Sequence, residues 1–212
     1  MVKVRDKKSE IVLAVRSDLL FDDGSRFQGF ISKIRGQNLV NKLALAEAVT
    51  RGDADYDDTG DFSGYKQLIS YGVVSAKDTG RVFAYKRLEK SGEEKLRGLG
   101  SVGIGGHMNP ITGVTTIEEV LKLNAYREVQ EELNISETLD DVKMIGFIND
   151  DSNDVGKRHI GIVYEVVVSS ENMVSVNETE NLEGYWLTND EFKKIDSNTY
   201  ENWTVLLSKG LF

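Results

Sequence analysis

The 212-residue chain contains no cysteine, and that single absence excludes disulfides, thiolate metal sites and cysteine nucleophiles together. Long hydrophobic runs are missing too. No apolar stretch approaches the roughly 20 residues that cross a bilayer, and the N-terminal MVKVRDKKSE is charged where a signal peptide would be apolar. The expectation is a cytoplasmic protein with no membrane partner. Basic residues are short relative to acidic ones, with 26 Lys and Arg against 35 Asp and Glu, a formal net charge of −9 and a sequence pI near 4.9. Such a chain has no broad basic face with which to hold nucleic acid by its phosphates. To handle a small phosphorylated molecule, it must supply positive charge locally, from a few Lys or Arg or from a metal ion.

What is present patterns into two parts. EIVLAVRSDLLF and RFQGFISKI flank Asp22-Asp23-Gly24-Ser25 and predict a β-hairpin over residues 10 to 34. NLVNKLALAEAVTRG, with Leu39, Leu43, Leu45 and Ala46 at helical spacing, predicts a helix that stops at Gly52. DADYDDTGDFSG, with five Asp and two Gly, reads as an exposed connector. A boundary near residue 62 would separate an N-terminal extension, 1–62, from a main domain, 63–212. The extension carries no chemistry of its own and is expected to form a homodimer contact or a wall over a substrate pocket.

In the main domain, YKQLISYGVVSA and GRVFAYKRL predict strands joined by a turn at Lys77-Asp78-Thr79-Gly80. A glycine-rich segment, GLGSVGIGGHMNPITG, precedes a helix from about Thr116 to Leu133. Strands VKMIGFI and RHIGIVYEVVV follow, around a polar loop. The end reads as a strand and one or two short helices, with Asn189 as a plausible N-cap. This order favours an α+β fold with a mixed sheet covered by helices. The loop Asp150-Asp151-Ser152-Asn153-Asp154-Val155-Gly156 superficially suggests a calcium site. The sixth position is Val155 instead of Gly and no Glu stands at the twelfth, so a polar hairpin connection is expected.

The predicted helix gathers Glu128, Glu131 and Glu132 at i, i+3 and i+4, on one face within about one turn. Val129, Leu133, Tyr126 and Leu123 fall on the other side, the expected core face. Like charges at this spacing cost roughly 0.2 to 0.5 kcal/mol per pair. A divalent cation would reverse the sign, and oxygen-only ligands suit Mg²⁺ or Mn²⁺. Taken alone, REVQEEL is most often just a solvated helix face.

The wider spacing alters that reading. Gly113, five residues, Glu119, seven residues, Arg127-Glu128-Val129, one residue, Glu131-Glu132, one residue, Asn134-Ile135 resembles the Nudix box. Around it, YKQLISYGVV, Tyr85-Lys86-Arg87, GSVGIGGHMNP and GYWLT are similar to a bacterial MutT-type subgroup described as phosphoesterases. The resemblance covers about residues 64 to 195. Asn134 stands where the family has Gly, and Asn also accepts a left-handed helix cap. The pair Gly105-Gly106 lies seven residues before Gly113, so HMNPITG reads as an insertion, with Gly106 in the structural role and Gly113 matching by position.

The resemblance implies a Nudix-type α/β/α sandwich and hydrolysis of a nucleoside diphosphate linked to another group. It implies that Glu128, Glu131 and Glu132 ligate Mg²⁺ or Mn²⁺, completed by a glycine carbonyl near Gly105 or Gly106, with one of the glutamates able to act as base. It also implies that Arg127 orients the glutamates and Glu119 anchors the helix entrance. Further candidates are Lys86 and Arg87 for substrate phosphates, Glu178, Glu180 and Glu183 as an additional carboxylate, His107 beside the glycine pair, and Tyr185-Trp186 as a base-stacking surface. For each of the last three sets, an ordinary loop charge, hydrogen bond or core contact is the simpler reading. The competing function is a Nudix-fold module that binds a nucleotide without turnover. Isomerase chemistry of the isopentenyl diphosphate type relies on a cysteine, which this chain lacks.

Overall fold

The computed structural model describes residues 7–22, 24–88, 96–139, 141–177 and 179–211. The chain opens with β1 (Ile11–Arg16), one helical turn α1 (Ser17–Leu20), β2 (Gly29–Ser32), α2 (Gln37–Lys42), β3 (Glu47–Thr50) and α3 (Arg51–Asp55). Next come β4 (Tyr65–Ala76), β5 (Val82–Arg87), the two-residue strands β6 (Gly100–Ser101) and β7 (Gly103–Ile104), helix α4 (Ile117–Glu132) and β8 (Leu133–Ile135). The last third holds β9 (Val142–Asn149), α5 (Asp154–Lys157), β10 (His159–Val168), β11 (Val174–Val176), β12 (Leu182–Leu187), α6 (Asn189–Lys193) and α7 (Asn202–Gly210).

One mixed sheet runs β12-β5-β4-β10-β9-β2, with β1 and β7 on β4, β6 on β5 and β3 on β1; β8 and β11 form a separate pair. β4 is its axis, and it is buried along nearly its whole length because both of its faces are covered. Leu68, Val74 and Ala76 share a core with Val120, Leu121, Ala125 and Val129 of α4, whereas Tyr71 and Val73 pack in the second core with Val205 and Leu207 of α7. β10 divides the same way, Ile160, Ile162, Tyr164 and Val166 to one core and Val163 to the other. The result is the expected helix, sheet, helix sandwich. β4 and β10 run parallel, in register from Gln67↔His159 to Ala76↔Val168. Parallel neighbours need a long crossover, and α4 lies within it. Gly72 lets that helix ride low: a Cβ there would sit 2.8 Å from Val129 Cγ2.

The N-terminal region departs from the hairpin and helix expected of it. β1 pairs with β3 and β4, while β2 pairs with β9 at the far edge of the sheet. After Arg16 the chain coils for one turn and sends Leu20 and Phe21 into the core. Burial of these side chains outweighs the local turn preference of Asp22 and Gly24. The helix expected through Gly52 ends at Lys42. Glu47–Thr50 instead extends along β1, Ile11 opposite Thr50, because the edge of β1 offers backbone partners that an isolated helix end cannot. Gly52 lies inside α3, which Thr50 caps by accepting the Asp53 N–H. Strands from both sides of residue 62 therefore build one sheet.

Smaller corrections follow from caps. α6 is capped by Thr188, with a reciprocal bond from its backbone to Glu191, and Asn189 is its first residue. Asn134 is not left-handed; no described non-glycine residue has positive φ. α4 runs directly into β8, where Asn134 pairs with Ser175. The loop after β9 is the polar connection expected: Asp150 accepts hydrogen bonds from Gln28, Asn153 and Asn202 side chains and from the Ser152 N–H.

Candidate active site

α4 begins where Thr116 Oγ1 accepts the Glu119 N–H. That bond satisfies one of the donors left free at a helix start. Glu119 itself is exposed in the first turn, three turns of helix from the other glutamates. Farther along, the buried face reads Val120, Leu121, Asn124, Ala125, Glu128 and Val129. Leu123, expected in the core, is exposed, and Tyr126 is half-buried. Glu128 takes a core-edge place, only 8% exposed, whereas Glu131 stands in solvent and Glu132 between the two.

The three carboxylates are thus in unlike settings. Burial pushes the Glu128 carboxyl above its ordinary pKa, the nearby Arg127 pulling the other way. Arg127 is the hub: its Nη2 lies 2.7 Å from Glu128 Oε1, and its Nη1 donates to Glu131 Oε2 at 3.0 Å. The same guanidinium donates to the His107 carbonyl, Asn109 Oδ1 and Asn124 Oδ1, at 3.1, 3.0 and 3.1 Å. Arginine's planar fork permits this; a lysine point charge could not satisfy the set.

The partner of α4 is the segment Gly105–Asn109, which crosses the edge of β4. The Ser70 N–H donates to the Gly106 carbonyl, the Met108 N–H to Leu68, and the Leu13 N–H of β1 to Met108. Both glycines are sterically required. A Cβ on Gly105 would fall 1.9 Å from the Ser70 carbonyl oxygen, and one on Gly106 would fall 2.7 Å from Glu128 Oε2. The carboxylate of Glu128 therefore rests on bare backbone. Gly113, in the turn before α4, has φ of +85°, so it has a conformational reason of its own besides matching the box by position.

Asn124 and Asn109 complete the seam. Asn124, fully buried, accepts the Asn109 N–H and donates to the Asn109 carbonyl, while the Asn109 side chain donates to the Ile11 carbonyl and to Glu10. Neither asparagine, nor His159, whose ring meets that of His107, was singled out by the sequence. Asparagine on a helix interior face, spaced three from Arg127, is the one signal that pointed there.

The other candidates separate from this cluster. Arg87 is matched by Glu201 at 2.8 Å and donates to Tyr85 Oη, while Lys86 is exposed and lies opposite Gly100 and Glu183 on neighbouring strands. Glu180 and Glu183 are exposed; Glu178 lies outside the described residues. Trp186 packs edge-on against Phe83, and Tyr185 Oη donates to Tyr200 Oη, so both rings are occupied by contacts within the fold. A polar cavity of about 560 Å³ lined by Thr79, Gly80, Arg81, Glu171, Thr188, Asn189 and Asp190 contains none of the candidates. Among the described residues, no three acidic or histidine side chains already converge at metal-ligand spacing.

No protein-family profile matches the chain. Protein YmaB of Bacillus subtilis (strain 168) is 38% identical over 200 residues, which span 92% of this chain and 93% of that protein. The crystal structure of Tm1382, provisionally assigned as a Nudix hydrolase, superposes with a TM-score of 0.73 at 26% identity, covering 94% of this chain and 97% of the other. A MutT protein from Methanosarcina mazei Go1 gives a TM-score of 0.47 at 20% identity over 68% of this chain and 91% of that one. With the box glutamates on α4, the glycine pair beneath Glu128 and a likeness to Tm1382 over nearly the whole length of both chains, this protein belongs to the Nudix hydrolase family and is an enzyme of that class.

Proposed function

We propose that this chain hydrolyses a phosphoanhydride in a nucleoside diphosphate linked to a further group, with Mg²⁺ or Mn²⁺ held by Glu128, Glu131 and Glu132 and by backbone carbonyl oxygen near Gly105 and Gly106. The observation that carries the reading is the close seat of Glu128 on Gly106, which leaves no room for a side chain and sets the carboxylate against bare glycine backbone. Carboxylate and carbonyl donors suit these hard cations. A bound cation of this kind supplies a more acidic water and neutralises charge on phosphate oxygens.

The chain's own residues do the positioning. Arg127 holds Glu128 and Glu131 in fixed relation to the 107–109 backbone, so the carboxylates are oriented before any ligand arrives. Burial raises the Glu128 pKa, a cost that a bound cation would offset. Lys86, exposed on β5, and Arg87, matched by Glu201, are not assigned to the reacting atoms. Glu119 is assigned to the helix entrance and not to the reacting atoms.

The test is a panel of nucleotide sugars, dinucleoside polyphosphates and ADP-ribose, assayed for release of nucleoside monophosphate with Mg²⁺, with Mn²⁺ and with chelator. Turnover of at least one class, abolished by chelator and reduced about 100-fold or more in Glu131→Gln, is the expected result. Binding across the panel without turnover would identify a sensor and overturn the proposal.

A further inference from the structure

The chain has two histidines, and the fold brings their rings together on the side of the glycine pair away from α4. His159 opens β10, next to Gln67 in register on β4, and His107 bridges Ile69 on the same strand. Their Nε2 atoms are 3.3 Å apart. His159 Nδ1 lies 2.6 Å from the Val155 carbonyl oxygen. A carbonyl only accepts, so Nδ1 carries the proton and Nε2 keeps a lone pair.

We propose that His107 and His159 form a second cation site, separate from the carboxylates of α4, that takes a transition-metal ion of the zinc type in preference to magnesium or manganese. Two zinc–imidazole bonds of 2.0–2.1 Å meeting at a tetrahedral angle span about 3.3 to 3.4 Å between the nitrogens, the separation found. The ring centroids are 5.3 Å apart with planes at 70°, compatible with two rings inclined toward a common point. Without an ion, the contact is a hydrogen bond from His107 Nε2–H to His159 Nε2. On binding, His107 moves that proton to its own Nδ1, remaining neutral, and both Nε2 lone pairs go to the metal.

Gln67 is the register neighbour of His159 on β4. Gln67 is wholly buried, its Nε2 donates to Asp55 Oδ1 at 2.8 Å, and its Oε1 has no hydrogen-bond partner among the described residues. An orphaned buried oxygen of this kind is rare in folded proteins and calls for a water or an ion. Of the cations that act on the rings, Arg51 is paired with Glu10 at 3.5 Å and Arg158 with Asp55 at 3.6 Å; Lys7 also faces His107. His159, with its Nδ1–H held on the Val155 carbonyl, already presents the Nε2 lone pair that a metal requires. Imidazole nitrogens favour zinc, copper and nickel; magnesium favours carboxylate and water.

The proposal stands apart from the hydrolase reading, and the experiment separates the two. Zn²⁺ is titrated by calorimetry into the full chain in excess Mg²⁺, for wild type, His159→Ala and Glu131→Gln. One equivalent is expected in wild type and in Glu131→Gln, with affinity at least about tenfold weaker in His159→Ala. Absence of Zn²⁺ binding, equal affinity in His159→Ala, or loss in Glu131→Gln overturns the site. Imidazole ¹⁵N spectra of the wild type, with only two rings to assign, give a check that needs no variant. Zn²⁺ shifts both Nε2 resonances together if the site exists, and a shift of one or neither removes it.

Discussion

The five residues Gly105–Asn109 are fixed by opposite means at their two ends. Gly105 and Gly106 are held by exclusion, their missing side chains replaced by the Ser70 carbonyl and the Glu128 carboxylate. Met108 and Asn109 are held by satisfaction, with bonds to β4, β1, Asn124 and Arg127. Exclusion fails abruptly when an atom is added. A network of hydrogen bonds fails by increments of about 1–3 kcal/mol as single partners are removed. The catalytic candidates lie at the excluded end, while the N-terminal region supports the satisfied one.

The largest effect tests that support. A chain beginning at Phe62 loses β1, β2 and β3, and with them Leu13, Val15, Leu20, Phe21, Leu39, Val40 and Leu43 from the main core. Seven large apolar side chains at about 1.5–3 kcal/mol each match or exceed the total stability of an ordinary domain, about 5–15 kcal/mol. Such a chain is expected to lose its cooperative thermal transition by circular dichroism. A sharp transition near the wild-type midpoint would show that 63–212 folds without its neighbour strands.

At the excluded end, Gly105→Ala drives a Cβ into backbone and is expected to cost about 3 kcal/mol or more, since no flexible side chain can yield. Gly106→Ala meets the far end of a side chain instead. Its stability loss is expected to be smaller, but displacement of Glu128 should lower kcat about 100-fold. Urea midpoints and steady-state rates for the two variants discriminate the roles, and equal behaviour would erase the distinction drawn between them.

At the satisfied end, Asn109→Ala strands donors and acceptors on Arg127, Glu10 and Ile11 and is expected to cost about 1–3 kcal/mol by urea unfolding, with a modest effect on kcat. The histidine pair gives a pH test beyond this seam. Its folded pKa values of about 3 and about 4 lie below the ordinary 6.5. The unfolded chain therefore binds more protons between pH 6.5 and 4, and stability falls as pH drops through that window. By pH 5 the loss is about 2 kcal/mol per ring. A His107→Gln, His159→Gln double variant should show a flatter pH profile of melting temperature, and an unchanged slope would place the titration elsewhere.

The acidic helix was legible because its signal is local. Capping at Thr116, the i, i+3, i+4 spacing of glutamates and the apolar repeat all act within a few turns of one chain segment. The strands β4, β5 and β10 were legible for the same reason, and the turn at Gly80, with φ of +68°, closes β4 onto β5. The region from Glu10 to Asp55 misled because its pairing is distant: LALAEAVT carries both helical and strand periods, and only the open edge of β1 selects the strand. Asn109 had no periodic signature at all, and Asn124 only its place on the inner face of the helix. Their importance comes from partners 15 residues apart in sequence.

The sequence alone determined which residues carry negative charge on α4 and which glycines precede them, because charge spacing and chain chirality are properties of a segment. Only the tertiary structure decided that Glu128 is buried and Glu131 is not, that β1 braces the 107–109 backbone, and that the two histidines meet. Burial and contact are set by what arrives from elsewhere in the chain, and no local pattern encodes that.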